Sequence, residues 1–177
     1  MTRARRIYGR NGLFNVEYLT VLVLFMVFST YFVFRMLDQK PAYLAEVQRE
    51  IFRSESYRLS EMLVDDAGAP ANWQTLVGGN EAGIRRIGLS DASRNVTNLV
   101  LEAKLAGMKQ MCTGAAGYAN VKALVGASHD FSLVRIGSDG VAETVCSPGT
   151  TGDVRASMTR FVAFDTGGYG QVIVQMW

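Results

Sequence analysis

The chain has one histidine, two cysteines and three prolines in 177 residues. So little His and Cys excludes zinc fingers, iron–sulfur ligation and most histidine-based catalysis. So little Pro excludes a proline-rich linker protein. Charged residues make up 19% and apolar ones 49%, which excludes a disordered polyelectrolyte and suits one domain, or one small domain with an appendage. Acids are missing from the first twelve positions, where Arg3, Arg5, Arg6 and Arg10 stand. Taking these four from the 18 basic residues leaves 14 against 16 acids. The remainder has no basic stripe, so no nucleic-acid partner is indicated.

Charge is missing from a second place. Leu13–Phe34 contains no Lys, Arg or Asp and a single Glu. Its 22 residues, at about 1.5 Å each, are long enough as a helix to cross a bilayer core. Phe14 and Tyr18 lie near one end and Tyr31, Phe32 and Phe34 near the other, the places where aromatics anchor at lipid interfaces. The four arginines ahead of it bias the N-terminus towards the cytoplasm and the remainder towards the outside. A cleaved secretory signal would have a shorter apolar run followed by small residues, whereas Arg35-Met36-Leu37-Asp38 follows this one. Glu17 is the odd residue. A carboxylate inside a spanning helix costs on the order of 2–3 kcal/mol unless it snorkels or is paired. Both readings stay open: snorkelling, since it lies one turn inside, or a positive partner from another chain.

Gly12-Leu13-Phe14-Asn15-Val16-Glu17-Tyr18-Leu19 resembles the class III signal peptide of type IV pilins, those of archaea in particular. In that family a prepilin peptidase cuts after a Gly that ends a short basic leader. Glu is the fifth residue of the mature chain, and an apolar helix follows. The resemblance implies a cut between Gly12 and Leu13. It also implies that Glu17 registers subunits during filament assembly. The chemistry is coherent: the freed α-amino group of Leu13 would lie one turn from Glu17 of its own chain and within reach of a neighbour's. Pairing amine with carboxylate relieves the burial of both. Asn11 departs from the Lys or Arg that often precedes the Gly in archaeal leaders.

Beyond the apolar run, Leu44, Val47, Ile51, Leu59, Met62 and Leu63 recur at helical spacing, with charge on the other face. Pro41 should kink or break this helix near Asp38. Asp65-Asp66 and Ala67-Gly68-Ala69-Pro70 end it. The Asn-Trp loop that follows, with its Ile-Gly-Leu segment, is similar to a pattern in archaeal pilin-like proteins, and Trp73 is expected as a core plug beneath it. Thr97–Met111 reads as a second helix and Tyr118–Val125 as a third, ended by Gly126. Phe131–Ile136 and Val141–Cys146 read as a hairpin about Ser138-Asp139-Gly140. Ser157–Phe164 and Gly170–Trp177 read as a second, about Asp165-Thr166-Gly167-Gly168. The expected fold class is α+β: a long N-terminal helix, then a small head of short helices and an antiparallel sheet. The expected divisions are a leader over 1–12, a transmembrane or filament-core helix over 13–34, its soluble continuation over 35–66, and a globular head over 67–177.

Cys112 and Cys146 would close a loop of about 35 residues if paired, worth roughly 3–4 kcal/mol; the alternative is two buried thiols. Asn95-Val96-Thr97 is a glycosylation sequon, unless Thr97 or Ser93 serves only to cap a helix. His129-Asp130 has no second His and no nucleophile motif beside it, and reads as a loop before a strand. No catalytic, metal or cofactor-binding residue is indicated. The first functional expectation is a subunit of a type IV pilus-like surface filament serving adhesion. Its partners would be membrane lipid, a prepilin peptidase and further copies of itself. It would lie in the cell membrane as a precursor and at the cell surface once assembled. The alternatives are a membrane-anchored exodomain that binds an extracellular ligand without polymerising, and a minor pilin or pseudopilin of a secretion or uptake system.

Overall fold

A computed structural model describes residues 11–91, 93, 96–149 and 152–177, with side chains from Val16 onward except at 39–42. The chain divides into two compact units, Met1–Val47 and Gln48–Trp177. One helix, α1 (Asn11–Asp65), supplies all the described secondary structure of the first unit and opens the second. It runs through Pro41 without interruption, so the break weighed there does not occur. A proline removes one backbone donor, and long helical stretches on both sides carry the helix over that loss.

In the second unit the helix buries a different stripe from the expected one. Leu59 and Leu63 are buried as anticipated, but Ile51 is half exposed. Leu44 and Val47, in the first unit, are exposed too. The buried face is Phe52, Ser56, Leu59, Ser60, Leu63 and Val64. Its two serines read as polar in sequence. Their hydroxyls donate back to the carbonyls of Arg53 (2.9 Å) and Tyr57 (2.7 Å), so both are small, satisfied residues that permit close packing.

After α1 come β1 (Gly68–Ala69), a 3-10 turn at Trp73–Leu76, and β2 (Arg86–Ile87), which pairs antiparallel with β1. Asp66 organises this corner. Its Oδ1 accepts the Gly68 amide at 2.9 Å, and its carboxylate pairs with Arg86 at 2.6 Å. Trp73 is fully buried, and its Nε1 donates to the Gly88 carbonyl at 2.8 Å. Gly88 has no room for a side chain, since a Cβ there would lie 2.2 Å from the Asp66 carbonyl oxygen.

The segment read as one helix over 97–111 is two elements. Asn98 takes a left-handed conformation (φ 59°), which a short amide side chain tolerates and which ends any helix there. Leu99–Val100 forms β3, and the helix proper, α2, is Glu102–Met111. Neither Ser93 nor Thr97 caps it. Ser93 donates through its amide and hydroxyl to Asp91, and Thr97 lies in a turn. The Glu102 amide donates instead to Asp165, 63 residues away in the last hairpin, at 2.9 Å. α3 (Gly114–Val125) begins a turn earlier than expected and ends at Gly126, whose φ is 72°.

Four longer strands follow: β4 (Phe131–Ile136), β5 (Ala142–Cys146), β6 (Ala156–Phe164) and β7 (Tyr169–Met176). With β3 they form a five-stranded sheet in the order β3-β6-β7-β4-β5. Both expected hairpins are present, but the sheet is not wholly antiparallel. β3 lies parallel to β6 at one edge, Leu99 opposite Ala163. A two-residue strand inside an apparent helix is invisible to periodicity, because its pairing partner lies over 60 residues away. One sheet face carries Phe131, Leu133, Val162, Phe164, Val172, Val174 and Met176 into the core, which they share with Leu59, Leu63, Trp73, Met108 and Val121.

Candidate functional site

In the first unit the notable feature is what covers α1, which is nothing within the described chain. Every described side chain from Val16 to Asp38 is exposed except Ser29, which is half-buried. Phe25 and Phe28 are 70% and 68% exposed. Apolar area left open on this scale is unfavourable in water at roughly 25 cal/mol per Å2. The helix is long and apolar enough to cross a membrane. Two of its hydroxyls are compatible with lipid, because they are satisfied within the helix. Thr20 donates to the Val16 carbonyl (2.8 Å) and Thr30 to that of Met26 (2.7 Å).

Glu17 stands at the start of this surface, exposed, and no basic group among the described residues pairs with it. Gly12 and Leu13, the residues of the expected cut, are helical in backbone, and the Leu13 side chain lies outside those described. Asn95, the glycosylation candidate, lies outside the described residues, as does the leader up to Arg10.

The head holds several polar clusters that sequence reasoning did not find. Glu55 of α1 accepts the Ser128 and His129 amides (2.6 and 3.3 Å) and the His129 ring through Nδ1 at 2.5 Å. Burial raises the Glu55 carboxyl, but these contacts outweigh it and hold the group below the usual carboxylate range. The His129 ring also packs on Phe52, centroids 4.4 Å apart. Asp130 turns the other way. It pairs with Lys122 at 2.8 Å, which lowers its pKa, and accepts the Tyr118 hydroxyl at 3.3 Å. His129 and Asp130 are thus both engaged in holding the α3–β4 loop.

Lys104 is fully buried in α2. Its Nζ donates to the carbonyls of Ala67 (2.7 Å) and Ser90 (2.6 Å), joining three segments. Burial lowers its pKa, against the opposing pull of Asp91 and Asp66. The available signal was its spacing: Lys104 falls on the same helical face as Met108 and Met111, where a cation needs local acceptors. Arg135 pairs with Glu102 and Glu143, and Lys109 with Glu143, a mutually neutralising set on the α2–β5 side.

Cys112, just past α2, is bonded to Cys146 at the end of β5, with Cα atoms 5.4 Å apart. The bond ties an edge strand to the helix that covers it. Among the described residues no group of three or more His, Cys, Asp or Glu could hold a metal.

Comparison with known protein families, with curated proteins and with solved structures found no match.

Proposed function

We propose that this chain is a type IV pilin-like subunit, held in the membrane by α1 until a prepilin peptidase cuts after Gly12, and then packed through α1 into a filament whose heads face outward and serve adhesion. The observation that carries this reading is the exposed apolar surface of α1 from Val16 to Phe34, whose one charged residue is Glu17 near its start. A simple anchor needs the apolar length but not the carboxylate. A bundle of such helices gives each Glu17 a place beside a neighbour's new α-amino group, five residues from the cut. Transfer from lipid into a helix bundle gains little hydrophobic free energy, so packing and this charge pair would decide the register.

The experiment is the intact mass and N-terminal sequence of the protein taken from native membranes and from sheared surface fibres. The expected mature chain begins at Leu13. A Glu17→Ala variant should insert and be cut, yet yield no fibres. Retention of residues 1–12 in every fraction, or undiminished fibres from the variant, overturns the proposal in favour of a membrane-anchored exodomain.

A further inference from the structure

The sheet face turned away from the core carries a groove of about 770 Å3 that the reading above leaves unused. It lies where the β4–β5 turn and the adjoining ends of β6 and β7 meet the segment ahead of β3. Strand register builds it. Phe161, Gln171 and Ile136 stand opposite one another across β6, β7 and β4, and Tyr169 is two residues along β7 from Gln171. Phe161 is 74% and Tyr169 80% exposed, the two most exposed large apolar side chains on the head. Gly170 between them keeps the sheet tight beneath, since a Cβ there would meet the Ile136 carbonyl at 2.3 Å and the Phe164 ring at 2.6 Å.

The chemistry of the lining selects the occupant. None of the described residues that line the groove carries a formal charge, although the rest of the head is dense with ion pairs. A charged ligand therefore finds no counter-charge. Thr97, Asn98, Ser138 and Gln171 offer neutral hydroxyls and amides, none of them spent on a hydrogen bond among the described residues. A wholly apolar occupant, such as an acyl chain, would strand these groups. What satisfies both demands is an uncharged polyhydroxylated ring, with a C–H face to lie on an aromatic side chain and hydroxyls to meet amides. Few polar groups convergent on an aromatic platform are also the usual make-up of small-molecule sites.

We infer that this groove binds a neutral oligosaccharide, with Phe161 and Tyr169 as stacking platforms and Gln171 and Asn98 as hydrogen-bonding partners. The inference rests on the reading above only in placing the head outside the cell. It does not require the chain to polymerise.

The test uses the full unassembled chain in detergent, titrated with cellohexaose, maltohexaose and chitohexaose, and with a heparin hexasaccharide as the charged control. Binding is followed by saturation-transfer NMR and calorimetry. At least one neutral hexasaccharide should bind saturably, and the charged one should not. Phe161→Ala and Tyr169→Ala should each weaken binding about tenfold or more, with unchanged circular dichroism. Gln171→Leu, which keeps the bulk, should weaken it by a smaller factor. No binding by any neutral probe, equal binding of the heparin probe, or binding indifferent to the three substitutions overturns the inference. So does association of heads that depends on Phe161 and Tyr169 and is insensitive to sugar, read by sedimentation, because a second copy would then be the occupant. Each of these outcomes is independent of whether Glu17 governs filament assembly.

Discussion

Replacing Lys104 by methionine isolates the one buried cation of the described core. Methionine keeps the length and most of the volume of the side chain, so no large cavity opens. What disappears are two charge-assisted hydrogen bonds, to Ser90 at 2.6 Å and to Ala67 at 2.7 Å. The Ser90 contact is buried and the Ala67 contact partly so. An orphaned buried carbonyl costs about 1–3 kcal/mol, so the first loss is about 2 and the second about 1 kcal/mol. Against this, the variant no longer buries a charge. The two carbonyls, with Asp66 and Asp91 nearby, already compensate much of that burial, so the relief is about 1 kcal/mol. The balance is a loss of about 2 kcal/mol.

Urea unfolding of the full chain in detergent measures this, with fluorescence of buried Trp73 as a reporter of the loop that Lys104 helps to hold. At an m-value of about 2 kcal/mol per M the midpoint should fall by about 1 M. There is also a pH signature. Burial holds the folded ammonium below 10.5, so in the alkaline range just under that value the unfolded chain binds more protons. Stability of the parent should therefore gain from this group as pH rises there, and the variant should lack that gain. A Lys104→Met protein with an unchanged or higher midpoint refutes the reasoning. The ammonium would then be a net cost, and the corner would be held by Trp73 and Gly88 alone.

Glu55 is depressed in the folded state, so its contribution is complete above the ordinary carboxyl value of 4.5 and is lost as pH falls below it; Glu55→Ala should abolish that part of the acid sensitivity and cost about 1 kcal/mol at neutral pH, checked by denaturation at a series of pH values. The Tyr118 phenol, buried and donating towards Asp130 while accepting the Phe131 amide at 2.9 Å, is pushed from 10.0 up to about 12. The folded chain then holds the extra proton between those values, so stability should decline across that interval by on the order of 3 kcal/mol, and Tyr118→Phe should flatten the decline. Reducing the Cys112–Cys146 bond frees a loop of 34 residues and should lower stability by about 4 kcal/mol, read as a midpoint shift with and without reductant. Gly88→Ala forces a methyl against the Asp66 carbonyl and should cost about 3 kcal/mol or more, enough to be seen as loss of Trp73 burial by fluorescence.

Elements whose signal is local were legible in the sequence. The strand pair at 131–146 alternates around a Gly turn, and α3 ends at a glycine that takes φ 72°. The apolar run of α1 is visible by length alone. What escaped was set by distant partners. β3 exists because Ala163 and Phe164 are there to pair with it, and the first amide of α2 is met by Asp165 of another hairpin. The buried stripe of α1 runs through Ser56 and Ser60, which hydropathy scores as polar but which bury well once they back-bond. Glu55 reads in sequence as one more charge on a helical face, and Lys104 has no local acceptor to mark it. Only the tertiary structure supplies the carbonyls and amides that make them structural. The groove residues Phe161 and Tyr169 were hidden for a simpler reason: alternation puts Phe161 on the outer face of a strand, but Tyr169, which opens β7, falls just outside the strand read from Gly170, and nothing local brings the two together.

Polar side chains are met in two ways, and the difference bears on function. In the head, Lys104, Trp73 and Tyr118 are met by acceptors or donors far away in sequence, while the buried hydroxyls of Ser56 and Ser60 bond back within their own helix. In the exposed apolar part of α1, Thr20 and Thr30 bond only to their own helix, four residues back. Those two hydroxyls are indifferent to whether lipid or other helices surround them, because neither depends on a particular neighbour. Glu17 does not share that indifference, since a carboxylate has no intrahelical remedy comparable to a back-bonded hydroxyl. A residue that is a liability in lipid and has a use only beside a positive charge is where the choice between membrane and filament would be made. Separating reach from charge is then informative. A Glu17→Asp chain keeps the charge but shortens the side chain by one methylene. It should insert and be cut like the parent, yet give fewer fibres, whereas Glu17→Gln should give none. If the Glu17→Gln chain assembles as well as the parent, hydrogen bonding suffices and the charge pair is not what sets the register.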